Sequence, residues 1–176
     1  TSQIYYAQLV EEESTRTVMA ALREVIEQHG LCCSLYSDRA SHFWVTTHAG
    51  ERVESERLTQ VGRALKQLGI RLIPAYSPQA RGRMERNYRP WQGRLPQELR
   101  RAQVQTLTGA NQFLRQRYLA EFNRQFAVPA SQPGTAFVPC RRRDLDWVFS
   151  LQPERTVNQD NTVLLERRVF QILKTR

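Results

Sequence analysis

Asp38 and Glu85 are the two residues of this chain best placed to do chemistry. Asp38 ends the apolar run Leu31-Cys32-Cys33-Ser34-Leu35-Tyr36, and Glu85 sits inside SPQARGRMERNYR, a stretch otherwise crowded with arginine. A carboxylate at a strand end and another on a basic helix can converge on a divalent cation. Mg2+ and Mn2+ prefer such oxygen ligands and retain waters around them. Paired ions about 3.5–4 Å apart stabilise both the attacking and the leaving oxygen of an in-line displacement at phosphorus. The chemistry this pattern points to is metal-dependent phosphoryl transfer on DNA. Each acid also has a plainer reading. An Asp after a strand is commonly a turn residue or helix cap, and a Glu among arginines an ion-pair partner.

The basic residues nearby sharpen the first reading. Arg39 adjoins Asp38. Arg81, Arg83, Arg86, Arg89 and Arg94 surround Glu85, followed by Arg100 and Arg101; between Gln79 and Arg101 only Glu85 and Glu98 oppose them. Arginine presents a planar fork that grips phosphate in bidentate fashion. Such a cluster can follow a DNA backbone, and binding should then fall steeply with salt. A solvated helix surface is the plainer reading for about half of these residues. Arg141, Arg142 and Arg143 form a second basic run. Tyr88 and Trp91 could stack on bases, but their spacing assigns them to core packing. His42 is a candidate proton carrier or metal neighbour, with an ordinary polar contact as the simpler role.

The elements that must position these residues are legible in outline. Ile4 to Val10 reads as a strand. Glu11-Glu12-Glu13 precede a helix N-terminus, where negative charge is favourable, and Ser14 or Thr15 supplies the N-cap. Val18, Ala21, Leu22, Val25 and Ile26 share one helical face, and Gly30 ends the helix. Leu31 to Tyr36 is a second strand, apolar enough to be covered on both faces. Thr46 to Glu54, with Gly50 at its centre, is an inserted loop or hairpin. Ser55 can cap a helix presenting Leu58, Val61, Leu65 and Leu68, stopped by Gly69. Ile70 to Tyr76 is a third strand. This alternation argues for an α/β sandwich whose later strands run parallel. In such sheets ligands favour the carboxyl ends of the strands, where Asp38 lies and towards which Glu85 can approach.

The helix carrying Glu85 places Met84, Tyr88, Trp91 and Leu95 inward and Glu85, Arg89 and Gln92 outward, with a kink expected at Pro90. Another helix spans about Thr108 to Phe126, with Phe113, Leu114, Leu119 and Phe122 inward. Pro129, Pro133, Gly134 and Pro139 mark a linker ending in the triple arginine. Leu145, Trp147, Phe149 and Leu151 then alternate as in a strand. Asp160-Asn161 is a turn signal between two further short strands, and Val169 to Leu173 follows. The domains read as 1–127, a linker over 128–144, and a small β module over 145–176.

The 176 residues suit one ordinary domain, or one with a small module. Formal charge is +9 and the sequence pI is about 10.2. This excess favours a polyanionic partner, nucleic acid first. Lys66 and Lys174 are the only lysines; arginine-rich codon usage would give the same bias, so clustering carries more weight than content. No apolar run approaches the ~18 residues needed to span a bilayer, and Thr1 to Val10 lacks the form of a signal peptide. Cys32, Cys33 and Cys140 form neither a disulfide framework nor a zinc site. A reduced, cytoplasmic, nucleoid-associated protein is expected.

These motifs together resemble the integrase-type catalytic core of bacterial insertion-sequence transposases, particularly the ISNCY-type group. The resemblance covers nearly the whole chain. It rests on YAQLVEEESTRTVMAALREVIEQHGL, LYSDRASHF, TQVGRALKQLGI, AYSPQARGRMER, FNRQFAVPA, VPCRRRDLDWVFSL and DNTV. It implies an RNase H-like fold with three metal-binding acids, the DDE triad. Asp38 matches the second and Glu85 the third, both binding Mg2+ or Mn2+. The activity implied is nicking at transposon ends followed by strand transfer into target DNA, by a homo-oligomer. Arg39, Arg81, Arg83, Arg86, Arg89, Arg141, Arg142 and Arg143 are then the expected DNA contacts, and the C-terminal module a small DNA-binding barrel.

The chain departs from that pattern in several places. The first acid and its strand are expected just upstream of Thr1, so the core is read as lacking its first strand and as inactive in isolation. The helix-turn-helix region that recognises transposon ends is also absent from these residues. The family usually has Gly where this chain has Ala40. Pro90 is unusual in the third-acid helix, and 47 positions separate Asp38 from Glu85, an excess the polar insert explains. A non-catalytic DNA-binding remnant or domesticated transposase is the alternative. A generic RNA-binding protein is weaker, because no aromatic RNA-binding motif is recognisable.

Overall fold

A broken strand over 31–37 organises the computed structural model, which describes residues 1–46, 48, 52–54, 56–76 and 78–173, with the side chains of 78–81 and 83–87 outside that description. Helix α1 (Thr15–His29) leads into it. Ser14 caps α1 reciprocally: its Oγ accepts from the Thr17 N–H at 3.3 Å, and Thr17 Oγ1 accepts from the Ser14 N–H at 2.9 Å. Gly30 closes the helix at φ 98°, and a Cβ there would lie 2.3 Å from the Val138 carbonyl oxygen. Both the backbone angle and the neighbouring chain therefore require glycine.

The expected strand over 31–36 is found as two pieces, β1 (Leu31–Cys32) and β2 (Ser34–Ser37), broken at Cys33. β1 pairs antiparallel with β4 (Phe137–Val138), so part of the expected linker returns to the sheet. β2 pairs in parallel with β3 (Arg71–Pro74), with Leu35 opposite Leu72 and Ser37 opposite Pro74. The parallel arrangement expected of the later strands is thus present. Coverage differs from expectation: Leu35 and Leu72 pack into a core, but Tyr36 is 57% exposed, so one face of the pair is open.

That core lies on the α1 side. Helix α2 (Gln60–Gln67) contributes Val61, Ala64 and Leu65, fully or almost fully buried against Met19 and Ile26 of α1. Thr59, rather than Ser55, caps α2, with its Oγ1 accepting from Gly62; Ser55 lies outside the described residues. Leu145 and Val148 complete this core from α6 (Leu145–Val148), a single helical turn. The alternation over 145–151 therefore does not make a strand. Positions i and i+3 of a turn meet the core together, and Trp147 faces solvent.

A second core joins α3 (Pro78–Arg101) to α4 (Leu107–Phe113), a wide π turn (Leu114–Tyr118) and α5 (Leu119–Phe126). Its buried residues are Leu95, Leu114, Tyr118 and Phe122, with Trp91 edge-on to Tyr118 and Phe122 at 5.0 and 5.1 Å. Helix α3 runs on through Pro90 and Pro96.

Ile4 to Val10 joins no sheet. Two asparagine side chains hold it instead. Asn123 accepts from the Ile4 N–H at 2.8 Å and donates to the Ile4 carbonyl at 2.7 Å. Asn111 does the same for Leu9, at 2.8 and 2.9 Å. Each carboxamide thereby stands in for a neighbouring strand. Twelve positions of regular α-helix would leave the two asparagines about 120° apart. The π turn between them absorbs the extra residue and brings both to one side. The spans also match: five residues of extended chain reach about 17 Å, and twelve helical residues rise about 18 Å.

Beyond α6, the expected strand ending at Leu173 is found as β6 (Arg168–Gln171), paired with β5 (Thr162–Leu165) in a hairpin that turns at Glu166-Arg167. Both turn residues have positive φ, 48° and 66°, as two-residue hairpin turns require. Among the described residues the C-terminal strands form this hairpin and no barrel.

Candidate functional site

Asp38 stands directly after β2, on the carboxyl edge of the parallel pair. Its position is set from several directions. Ser37 is buried, and its Oγ accepts from the Trp44 indole N–H at 2.8 Å while donating to the Asp38 carbonyl at 2.9 Å. Just past β3, the Ala75 N–H donates to the Ser37 carbonyl at 2.9 Å. The Ala40 carbonyl accepts from both Phe43 and Trp44, which tightens the turn that follows. The Asp38 side chain is exposed; Oδ1 accepts from the Ala40 N–H at 3.1 Å, and no described group donates to Oδ2. Ala40 has no positive φ, so the turn after Asp38 does not require glycine there.

Glu85 has its backbone in α3, seven residues beyond the Pro78 start, and its side chain lies outside the described residues, as do those of Arg81, Arg83 and Arg86. Because β2 and β3 are parallel, α3 departs from the same edge that carries Asp38. Glu85 lies about 10 Å along the α3 axis from the helix start.

The described arginines divide by what they already hold. Arg39 sets its guanidinium 5.6 Å over the Tyr76 ring. Arg89, Arg141 and Arg143 are exposed. Arg142 is committed within the fold: it donates to both carboxylate oxygens of Asp144 and to the Gln67 carbonyl at the end of α2. Those bonds hold the Asp144 carboxyl below its ordinary range. Of the three consecutive arginines, Arg142 is thus the least available to a phosphate. Arg94 is also engaged, with Gln125 and over the Phe126 ring.

His42 is mostly buried, and its Nε2 lies 3.2 Å from Glu13 Oε1. The contact has ion-pair distance but is off-line for a hydrogen bond. His42 therefore meets an acid at the start of α1. Among the described residues no group of three metal-binding side chains gathers.

Three features escaped the sequence pattern. Tyr88, expected inward, is 60% exposed. Ser37 and Trp44 form the clamp behind Asp38; only the burial of an indole N–H next to a serine reveals it. Tyr76 is pinned, with Arg39 over its ring and its hydroxyl accepting from the Val53 N–H at 3.0 Å, yet half its surface is open. A tyrosine just past a strand gave no signal of that.

Comparison with known proteins places this chain near transposases. It is 34% identical over 155 residues to the protein named "Putative transposase y4bF" of Sinorhizobium fredii, a match covering 88% of this chain and 31% of that protein. It is 36% identical over 115 residues to the transposase for insertion sequence IS1202 of Streptococcus pneumoniae, covering 65% of this chain and 24% of that protein. The matches therefore span about a third and a quarter of these relatives. No protein-family profile and no solved structure matches. Among the described residues, no helix is long and apolar enough to cross a membrane.

Proposed function

We propose that this chain forms part of the catalytic core of an insertion-sequence transposase, an RNase H-like unit that cleaves DNA and transfers strands with Mg2+ or Mn2+. The observation that carries the reading is the edge of the β2–β3 pair. There Asp38 presents a carboxylate oxygen with no described donor, and the helix bearing Glu85 leaves from the same side. Similarity to two transposases supports it. An open strand edge supports the fold assignment: no described strand pairs with β2 on the side away from β3, and Leu35 of β2 lines a cleft of about 760 Å3 together with residues of 3–10, α1 and α3. On this reading a further strand, bearing the first acid, would lie along that edge.

The donor chemistry suits a hard cation. Asp38 offers an exposed carboxylate oxygen, and the reading takes Glu85, whose backbone lies in α3, as the second acid. When bound, the cation would stabilise negative charge on the attacking and leaving oxygens at phosphorus. The protein's own contribution is placement. The Ser37–Trp44 clamp fixes the backbone of Asp38, and Arg39, Arg89, Arg141 and Arg143 supply positive charge for a phosphate backbone. Arg81, Arg83 and Arg86 add charge to the helix that bears Glu85. Assembly of several copies on paired DNA ends belongs to the same reading.

Calorimetric titration of Mn2+ into the chain tests the metal site, beside DNA binding measured across a salt series. Wild-type protein should give a saturable heat that Asp38→Asn reduces by at least tenfold in affinity, because an amide is a poorer ligand for a hard cation. DNA binding should weaken steeply with salt in both. Equal heats from the two proteins, with DNA binding intact, would leave a non-catalytic DNA-binding protein.

A further inference from the structure

A cavity of about 530 Å3 opens on the α2 side of the β2–β3 pair, within the size range of ligand pockets. Phe43, Trp44, Leu58 and Tyr76 give it aromatic and apolar walls. Arg57, Lys66 and Arg71, all exposed, also line it, against Glu54 as the one acid among the described lining residues. Flat apolar walls beside several cations match a flat ring attached to an anion.

Tyr76 makes the case specific. Its hydroxyl is held by the Val53 N–H and one ring face lies under Arg39, so its orientation is fixed before any ligand arrives. A pinned ring that remains half exposed is a preorganised stacking surface. It is also next to the Asp38 edge. Tyr76 follows Ala75, whose N–H bonds to the Ser37 carbonyl, and Arg39 follows Asp38.

We propose that this cavity receives one unpaired nucleobase of a DNA strand whose backbone lies along the Asp38 edge, stacked on Tyr76. The inference rests on the DNA-binding reading above and adds to it a substrate feature: a base out of the helix beside the site. Val53, Glu54 and Arg57 line one wall, and Trp44 and Leu58, which also line the cavity, meet in an antiparallel bridge.

The test uses the full chain and two duplexes of equal length and charge, one fully paired and one carrying a single unpaired 2-aminopurine. Wild-type protein should bind the second about tenfold more tightly, in line with base–aromatic stacking, and should quench the 2-aminopurine fluorescence. Tyr76→Phe keeps the ring but loses the tie to Val53, and should keep the quenching with a smaller preference. Tyr76→Leu should lose the preference and the quenching while binding the paired duplex as before. Leu58→Trp, which fills the cavity from a partly exposed position, should do the same. If both variants retain the preference, or wild-type protein binds the two duplexes equally, the pocket assignment falls and DNA binding stands. If neither duplex binds at low salt, the DNA-binding reading falls with it.

Discussion

The two cores of this molecule meet the same demand by different means. Each must satisfy the backbone of an apolar segment that it covers. The first core, around Leu65, covers β2 and β3, whose N–H and C=O groups pair with each other along a ladder. The second, around Leu114, covers residues 4–9, whose backbone is held at two points by the Asn111 and Asn123 carboxamides. A ladder distributes the load over several bonds. A clamp concentrates it on two side chains, so single substitutions should act differently in the two regions.

Core truncation gives the largest effect and should not distinguish them. Leu65 and Leu114 are each 1% exposed. Leu65→Ala and Leu114→Ala should each cost about 2–5 kcal/mol in chemical denaturation. A large loss from one and none from the other would show that only one core is cooperative with the whole. Clamp removal should separate the regions more cleanly. Asn123→Ala breaks both bonds to Ile4 and should cost about 1–3 kcal/mol. Amide exchange at residues 4–9 should accelerate in that variant while β2 and β3 stay protected, and unchanged exchange there would remove the clamp from the account.

Ser14→Ala, at the cap of α1 in the first core, should cost about 1 kcal/mol, because the Thr17 N–H loses its side-chain acceptor. The smallest effect concerns the tie between α2 and the start of α6. Asp144 has its carboxyl held low by Arg142. Its stabilising contribution is therefore complete above the ordinary carboxylate pKa of about 3.9 and is lost as pH falls through the depressed folded value. Denaturation midpoints of Asp144→Asn and wild type, compared at neutral pH and near pH 2, should converge at the lower pH. Midpoints that stay apart would mean the tie does not titrate.

Local chemistry made much of the first core legible in advance. The Ser14 cap, the α1 stop at Gly30 and the α2 face over Val61 and Leu65 all depend on residues within a few positions of each other. The edge position of Asp38 followed from the same signals, once a helix was seen between two apolar runs. The open face at Tyr36, and the exposure of Tyr88 on a helix whose spacing turned it inward, depend on which elements pack where. Trp91 and Leu95 do face a core, one formed with α5. Spacing finds the stripe on a helix but not how far along its length the stripe is covered.

What the amino-acid order settled unaided was the alternation of helix and strand from α1 to β3, the placing of Asp38 at a strand end, and the strong positive charge. Those rest on periodicity, capping and composition, each a short-range property. Partners distant in the chain decided the rest. Ile4 to Val10 has strand-like side chains but finds two carboxamides more than a hundred residues away instead of a strand. Leu145 to Leu151 alternates like a strand yet curls into a helical turn, because Leu145 and Val148 bury together against α1 and α2. Tyr76 becomes a fixed surface only when Val53 and Arg39 close on it. Backbone groups accept whichever partner the packed chain brings within reach, and no window of neighbouring residues contains that information.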